Sequence, residues 1–179
     1  RRTFAPVSEE ISDRLPATAE LVLFAVGFSI IWAVPLGAIA AFRPYKFSDR
    51  LGTFLSQLGV SVPSFWLGLI FIYLLYYLLG LFPAPFGRIG GNDPPPFVTG
   101  FYTFDSLISG NMNLFLESLK YLIMPALTLS FTSSPPIFSV TRSAVSNVLG
   151  SQYVEAAKSY GIPKHVIKFR HIAPNAAPP

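Results

Sequence analysis

No cysteine occurs in the 179 residues. Disulfides and thiolate metal sites are therefore excluded. Charge is scarce as well. Asp, Glu, Lys and Arg make up 12% of the chain, against about a quarter in a soluble domain, too few to solvate an ordinary surface. The two histidines, His165 and His171, stand six residues apart on different faces of a helix, so they argue against a metal site. No glycine is followed by lysine, so a phosphate-cradling GxxxxGK[ST] loop is missing and ATP is not bound through one. No nucleophile–base–acid set is readable and no cofactor is called for. The chain reads as a non-enzyme.

What is present is oily. Hydrophobic residues form 51% of the sequence, with 17 Phe and 8 Tyr, and the mean hydropathy is +0.50. Leu21 to Phe42 is 22 residues without a charge, twelve of them Leu, Ile, Val or Phe. A membrane span needs about 20 apolar residues. Leu51 to Phe86 is also uncharged and exceeds one span, so part of it must tilt, bend or lie at the interface, with Pro63 as the bend. Tyr121 to Thr141 is uncharged but interrupted by Pro125, Pro135 and Pro136. Hydroxyls at Thr128, Ser130, Thr132, Ser133 and Ser134 stand ready to satisfy the carbonyls those prolines free. A soluble fold covering three such stretches would need a much longer chain. The fold expected is all-α and polytopic, with spans at about 21–42, 55–82 and 121–141. None of them carries an ionisable residue at mid-membrane, which weighs against a proton-coupled pump.

The charges orient these spans. Arg43, Lys46 and Arg50 cluster after the first. Arg142, Lys158, Lys164, Lys168 and Arg170 follow the third. Together they are eight of the thirteen basic residues. The segment 83–118 holds Arg88 as its one basic residue, against Asp93, Asp105 and Glu117. The positive-inside rule then places 43–50 and 142–171 in the cytoplasm, and 1–20 and the loop 83–118 outside. It also accounts for the basic residues without nucleic acid. The Pro/Gly-rich 83–100 should be irregular. The stretch after it reads equally as a short helix on the outer membrane surface or as a solvated connector. The start lacks an initiator Met and a signal-peptide core, and the end stops as small apolar residues begin. Both suggest a piece of a longer chain, with 172–179 opening a further membrane helix.

One polar stretch stands apart, EAAKSYG at 155–161. Ser151 is suited to cap a helix over about Gln152–Tyr160. Gly161 suits the left-handed position that ends it, and Pro163 suits the first turn of the next helix. Tyr153, Ala156, Ala157 and Tyr160 recur at helical spacing and share a face, a shallow small-residue notch with aromatic rims. Glu155 and Lys158 lie opposite. Such a helix either docks into a partner or rests on its own protein or on headgroups.

The stretch resembles the cytoplasmic EAA loop of ABC transporter permeases. Glu155, Ala156, Ala157 and Gly161 match its Glu-Ala-Ala, three residues, Gly. Nine residues later the chain reads His171-Ile172-Ala173-Pro174, of which Pro174 agrees with the loop's closing Ile-x-Leu-Pro. The run from Thr141, with RLPATAELVLFAVGFSIIWAVPLGAIAAFR, SDRLGTFLSQLGVSVPSFWLGL and MPALTLSF, is similar to the oligopeptide/dipeptide/nickel branch of these permeases. Pro174, Ala177 and Pro178 depart from that branch. The resemblance implies a type I ABC importer permease in a prokaryotic inner membrane, moving peptides or a similar small solute. Its partners would be ABC ATPase subunits, a second, paralogous permease and an external substrate-binding protein. Glu155 would anchor the ATPase, Ala156 and Ala157 would pack against it, and Gly161 would make the turn. Tyr153 and Tyr160 join this set from the face argument alone. The rival readings are a secondary transporter or channel without an ATPase, and a non-transporting membrane scaffold.

Overall fold

The computed structural model describes residues 7–163, 166–167 and 173–176. Among them the chain forms helices and no strand: α1 (Val7–Phe42), α2 (Phe47–Ser61), α3 (Ser64–Phe71) continued by a π-helical stretch (Ile72–Leu78), α4 (Tyr102–Ile108), α5 (Met112–Leu149), α6 (Gln152–Ser159) and α7 (Ala173–Ala176). Two are long and apolar enough to cross a membrane: α1 from Arg14 to Phe42, and α5. A third span results if α2 and α3, with its continuation, are one broken crossing. The fold is all-α with at least two membrane-spanning helices.

Four features bear on the sequence expectation. α1 is helical from Val7, so residues 7–20 are continuous with the helix of the first span. The second stretch breaks where the bend was expected, at Pro63. Val62 is extended (φ −90°, ψ 124°) and Pro63 opens α3. Proline lacks an N–H and disfavours helix at the residue before it, so the break falls there. The third stretch, expected as a span over 121–141 that tolerates its prolines, is one helix of 38 residues through Pro125, Pro135 and Pro136. Finally, α5 already starts at Met112, so the end of the expected 83–118 loop is helical and continuous with the helix of the third span. Of the expected 172–179 helix, Ala173–Ala176 is helical. Ile172 and 177–179 lie outside the described residues.

A serine helps the proline-bearing helix hold. Pro135 deprives the Phe131 carbonyl of its donor, and Ser134 Oγ donates to that carbonyl at 2.9 Å. Thr128 Oγ1 also donates to Met124 O at 3.1 Å, a carbonyl that no proline frees.

The side chains are arranged inside out relative to a soluble protein. On α1, Ala25, Ser29, Ala33, Gly37 and Ala40 are buried at about one-turn intervals, while Leu23, Val26, Ile30 and Ile31 are exposed. Large apolar residues outward and small ones inward is the pattern of helices solvated by lipid, which must associate through close packing.

The chain divides into two compact units. One comprises the chain to Phe28 and Pro63–Ser130. The other comprises Ser29–Val62 and the chain from Phe131. In the second, three glycines bring α1 and α2 against α5. A β-carbon at Gly37 would lie 2.8 Å from Phe138 O, one at Gly52 2.5 Å from the Phe138 ring, and one at Gly59 2.7 Å from Phe131 O. Trp32 stacks on Phe131 beside them, with centroids 6.0 Å apart. In the first unit, α3 packs by Gly68 against Thr128 of α5, at ordinary contact distance.

Candidate functional site

α6 carries the residues the sequence singled out. Ser151 precedes it, but its hydroxyl does not cap it. Ser151 Oγ donates to Val148 O at 2.6 Å. The Ser151 carbonyl receives the Val154 and Glu155 N–H groups at 3.1 and 3.2 Å. The end of α5 has carbonyls without helical partners, and a hydroxyl two residues past it reaches one of them first. The other end matches the expectation. Gly161 has φ +72°, and Ile162 N donates to Ala157 O at 3.2 Å, the six-to-one bond of a glycine-terminated helix. Pro163 then starts a turn, its carbonyl accepting from Val166 N and Ile167 N at 3.0 and 3.1 Å. The rest of that second helix, Lys164, His165 and Lys168 to Ile172, and the Lys158 side chain lie outside the described residues.

The expected four-residue face is divided. Ala157 is buried with Val154, in a cluster with Ala41 of α1, Val145 of α5, Ile167 and Ala176. Tyr153, Glu155, Ala156 and Tyr160 are exposed, Tyr160 at 86%. Thus α6 is anchored by one stripe and presents another. Val154, fully buried and three residues before Ala157, was not among the sequence candidates; its apolar pairing at helical spacing is the signal for it.

In the same unit an ion pair joins α2 to α5. Arg142 Nε donates to Asp49 Oδ1 at 2.7 Å and Nη2 to Oδ2 at 3.1 Å. Asp49 is 7% exposed and Arg142 37%. Tyr45 N also donates to Asp49 Oδ2 at 2.9 Å. In the sequence, Asp49 is the one acid in a basic segment, which marks it for pairing, but its partner is 93 residues away.

The first unit contains two further buried carboxylates that the sequence reading weighed only as charges. Glu20, 2% exposed, accepts from Thr103 N (2.8 Å), Thr103 Oγ1 (2.6 Å), Tyr102 N (3.3 Å) and Arg88 Nη2. The Arg88 guanidinium lies 3.6 Å over the Tyr102 ring and also donates to Gly100 O at 3.0 Å. Asp105 accepts from Thr99 N (2.9 Å), Thr99 Oγ1 (2.6 Å), Gly100 N (2.9 Å) and Val98 N (3.3 Å). Burial pushes its carboxyl up, but the hydrogen bonds from Thr99, Val98 and Gly100 outweigh burial and hold it below the ordinary carboxylate value. Together they fasten the irregular segment before α4 to α1. Beside Glu20 and Arg88 is a cavity of about 260 Å³, also lined by Thr18, Tyr121 and Pro125. No cluster of three His, Cys, Asp or Glu fit to hold a metal occurs among the described residues.

The sequence matches the binding-protein-dependent transport system inner membrane component family over residues 33–179. It is 38% identical over 178 residues to the dipeptide transport system permease protein DppB of Alkalihalophilus pseudofirmus, covering 99% of this chain and 53% of that protein. It is 38% identical to the probable D,D-dipeptide transport system permease protein DdpB of Escherichia coli strain K12, covering 99% and 52%. To the putrescine export system permease protein SapB of the same strain it is 31% identical, covering 97% and 55%. The chain thus spans about half the length of the curated relatives it matches. Permease subunits of this family are non-catalytic transport components that work with an ATPase and a substrate-binding protein. This chain belongs to that family of inner-membrane components, the ABC-importer permeases, and is related to its peptide and dipeptide members.

Proposed function

We propose that this chain is the membrane-spanning part of a type I ABC importer permease in a prokaryotic inner membrane, moving peptides or a similar small solute. It would pair with a second, paralogous permease and receive solute from an external binding protein. α6 would lie in the cytoplasm and seat in a separate ATPase. The observation that carries this reading is the division of α6. Val154 and Ala157 tie it to α1 and α5, while Tyr153, Glu155, Ala156 and Tyr160 are left on its open side. A helix that transmits force needs both a rigid root and a free face. Glu155 is the polar anchor, Ala156 permits close approach, and Tyr153 and Tyr160 supply rigid contact area. Ala157 roots the helix instead of touching the ATPase. Gly161 sets the exit direction of the chain. The dipeptide permeases among its relatives favour a short peptide as the solute.

The test uses the complete permease reconstituted in vesicles with its ATPase and binding protein. Glu155→Lys and Gly161→Pro should lose the co-purifying ATPase and ATP-dependent uptake. Uptake driven by an ion gradient with no ATPase present would overturn the reading in favour of a secondary transporter. Partner binding without flux would turn it into a scaffold.

A further inference from the structure

The Asp49–Arg142 pair has no part in the coupling reading, yet Arg142 stands one turn along α5 from Val145, which shares the cluster that holds α6. Resting on that reading, we propose that Arg142 and Asp49 are positioning residues that carry the displacement of α6 into α2. Val154 and Ala157 share a buried cluster with Val145 of α5. Val145 stands three residues after Arg142, one turn along the same helix face. Arg142 then grips Asp49 with two bonds of 2.7 and 3.1 Å. A forked contact of this kind resists rotation as well as separation, which a single bond does not. Asp49 lies in the first turn of α2.

Two observations make this pair more than a surface contact. The rest of α2 meets α5 through Gly52 and Gly59, where close approach gives contact but no directional bond. The ion pair supplies that direction. Asp49 also holds the N–H of Tyr45, whose φ of +63° is a left-handed conformation costly for a bulky residue. The loop joining α1 to α2 therefore cannot relax while Asp49 keeps its bonds. A contiguous path of packed groups runs from α6 through α5 to α2, a route along which displacement can be passed.

The reconstituted complex tests this with Arg142→Lys, which keeps the charge and loses the fork, and with the double variant Asp49→Asn/Arg142→Gln. The double variant leaves no lone buried charge, so it should fold. Three quantities are read: ATPase retained on purification, solute moved per ATP hydrolysed, and stimulation of hydrolysis by loaded binding protein. The expected result is full ATPase retention with solute per ATP reduced between about 2-fold and 30-fold, and stimulation weakened. Wild-type solute per ATP in both variants would overturn the proposal. So would loss of ATPase retention and uptake together in both, since the pair would then merely hold the fold. A wild-type complex that retains no ATPase would overturn the coupling reading and this role with it, and needs no variant to be recognised.

Discussion

Asp105 gathers three backbone N–H groups and one hydroxyl while 1% exposed. Asp105→Ala would strand those donors, at roughly 1–3 kcal/mol for each that water does not reach. Faster amide exchange at Thr99 and Gly100 would report it. The pH dependence has a definite sign. The folded carboxyl lies below its ordinary value, so its contribution is complete above the unfolded value of about 4. It is lost as pH falls through the folded value. Protection of Thr99 and Gly100, corrected for intrinsic exchange, should be flat at neutral pH and decline only in acid below about pH 4. Gly161 is the second informative residue. Nothing lies within 4 Å of the position its β-carbon would take, so a substitution meets only the backbone cost of φ +72°. Gly161→Ala should destabilise the end of α6 by about 1 kcal/mol, and Gly161→Asn by less, because Asn tolerates that conformation.

At the scale of elements, contact between α2 and α5 depends on absent side chains. A methyl at Gly59 would meet Phe131 O at 2.7 Å and Pro135 Cγ at 2.9 Å. Neither a backbone carbonyl nor a ring in a helix can step aside cheaply. Gly59→Ala should cost about 1–3 kcal/mol as overpacking, read as a lower melting temperature in detergent, whereas Gly27→Ala, with nothing within 4 Å, should not. The prolines of α5 were expected to be tolerated with the help of nearby hydroxyls. The helix runs through all three, and Ser134 bonds the carbonyl that Pro135 frees. The break that does occur is at Pro63, where the sequence placed a bend. The difference lies in the neighbours: Ser134 precedes Pro135, while Val62 before Pro63 has no donor beyond its backbone.

At the scale of the whole molecule, the charge pattern predicts sidedness. The chain has no cysteine, so single cysteines report cleanly. Tyr160→Cys, at a residue 86% exposed, should react with an impermeant maleimide only from the cytoplasmic side, and Phe97→Cys, at one 82% exposed, only from outside. Labelling of both from one side would remove the topology on which the coupling role of α6 rests.

Composition and local pattern by themselves determined an all-helical membrane chain, the end of α6 at Gly161, the break at Pro63 and the residues of the polar helix. These follow from short-range chemistry: hydropathy, proline geometry, glycine φ and helical period. Only the tertiary structure decided that Ala157 faces inward with Val154, that the Ser151 hydroxyl serves α5 rather than α6, and that Asp49 belongs to Arg142 and Glu20 to Arg88 and Thr103. Each depends on what another segment brings to the same place, 93 residues away for Asp49 and 83 for Thr103. A one-dimensional period can say that four residues share a face, but not which edge of that face a distant helix will cover.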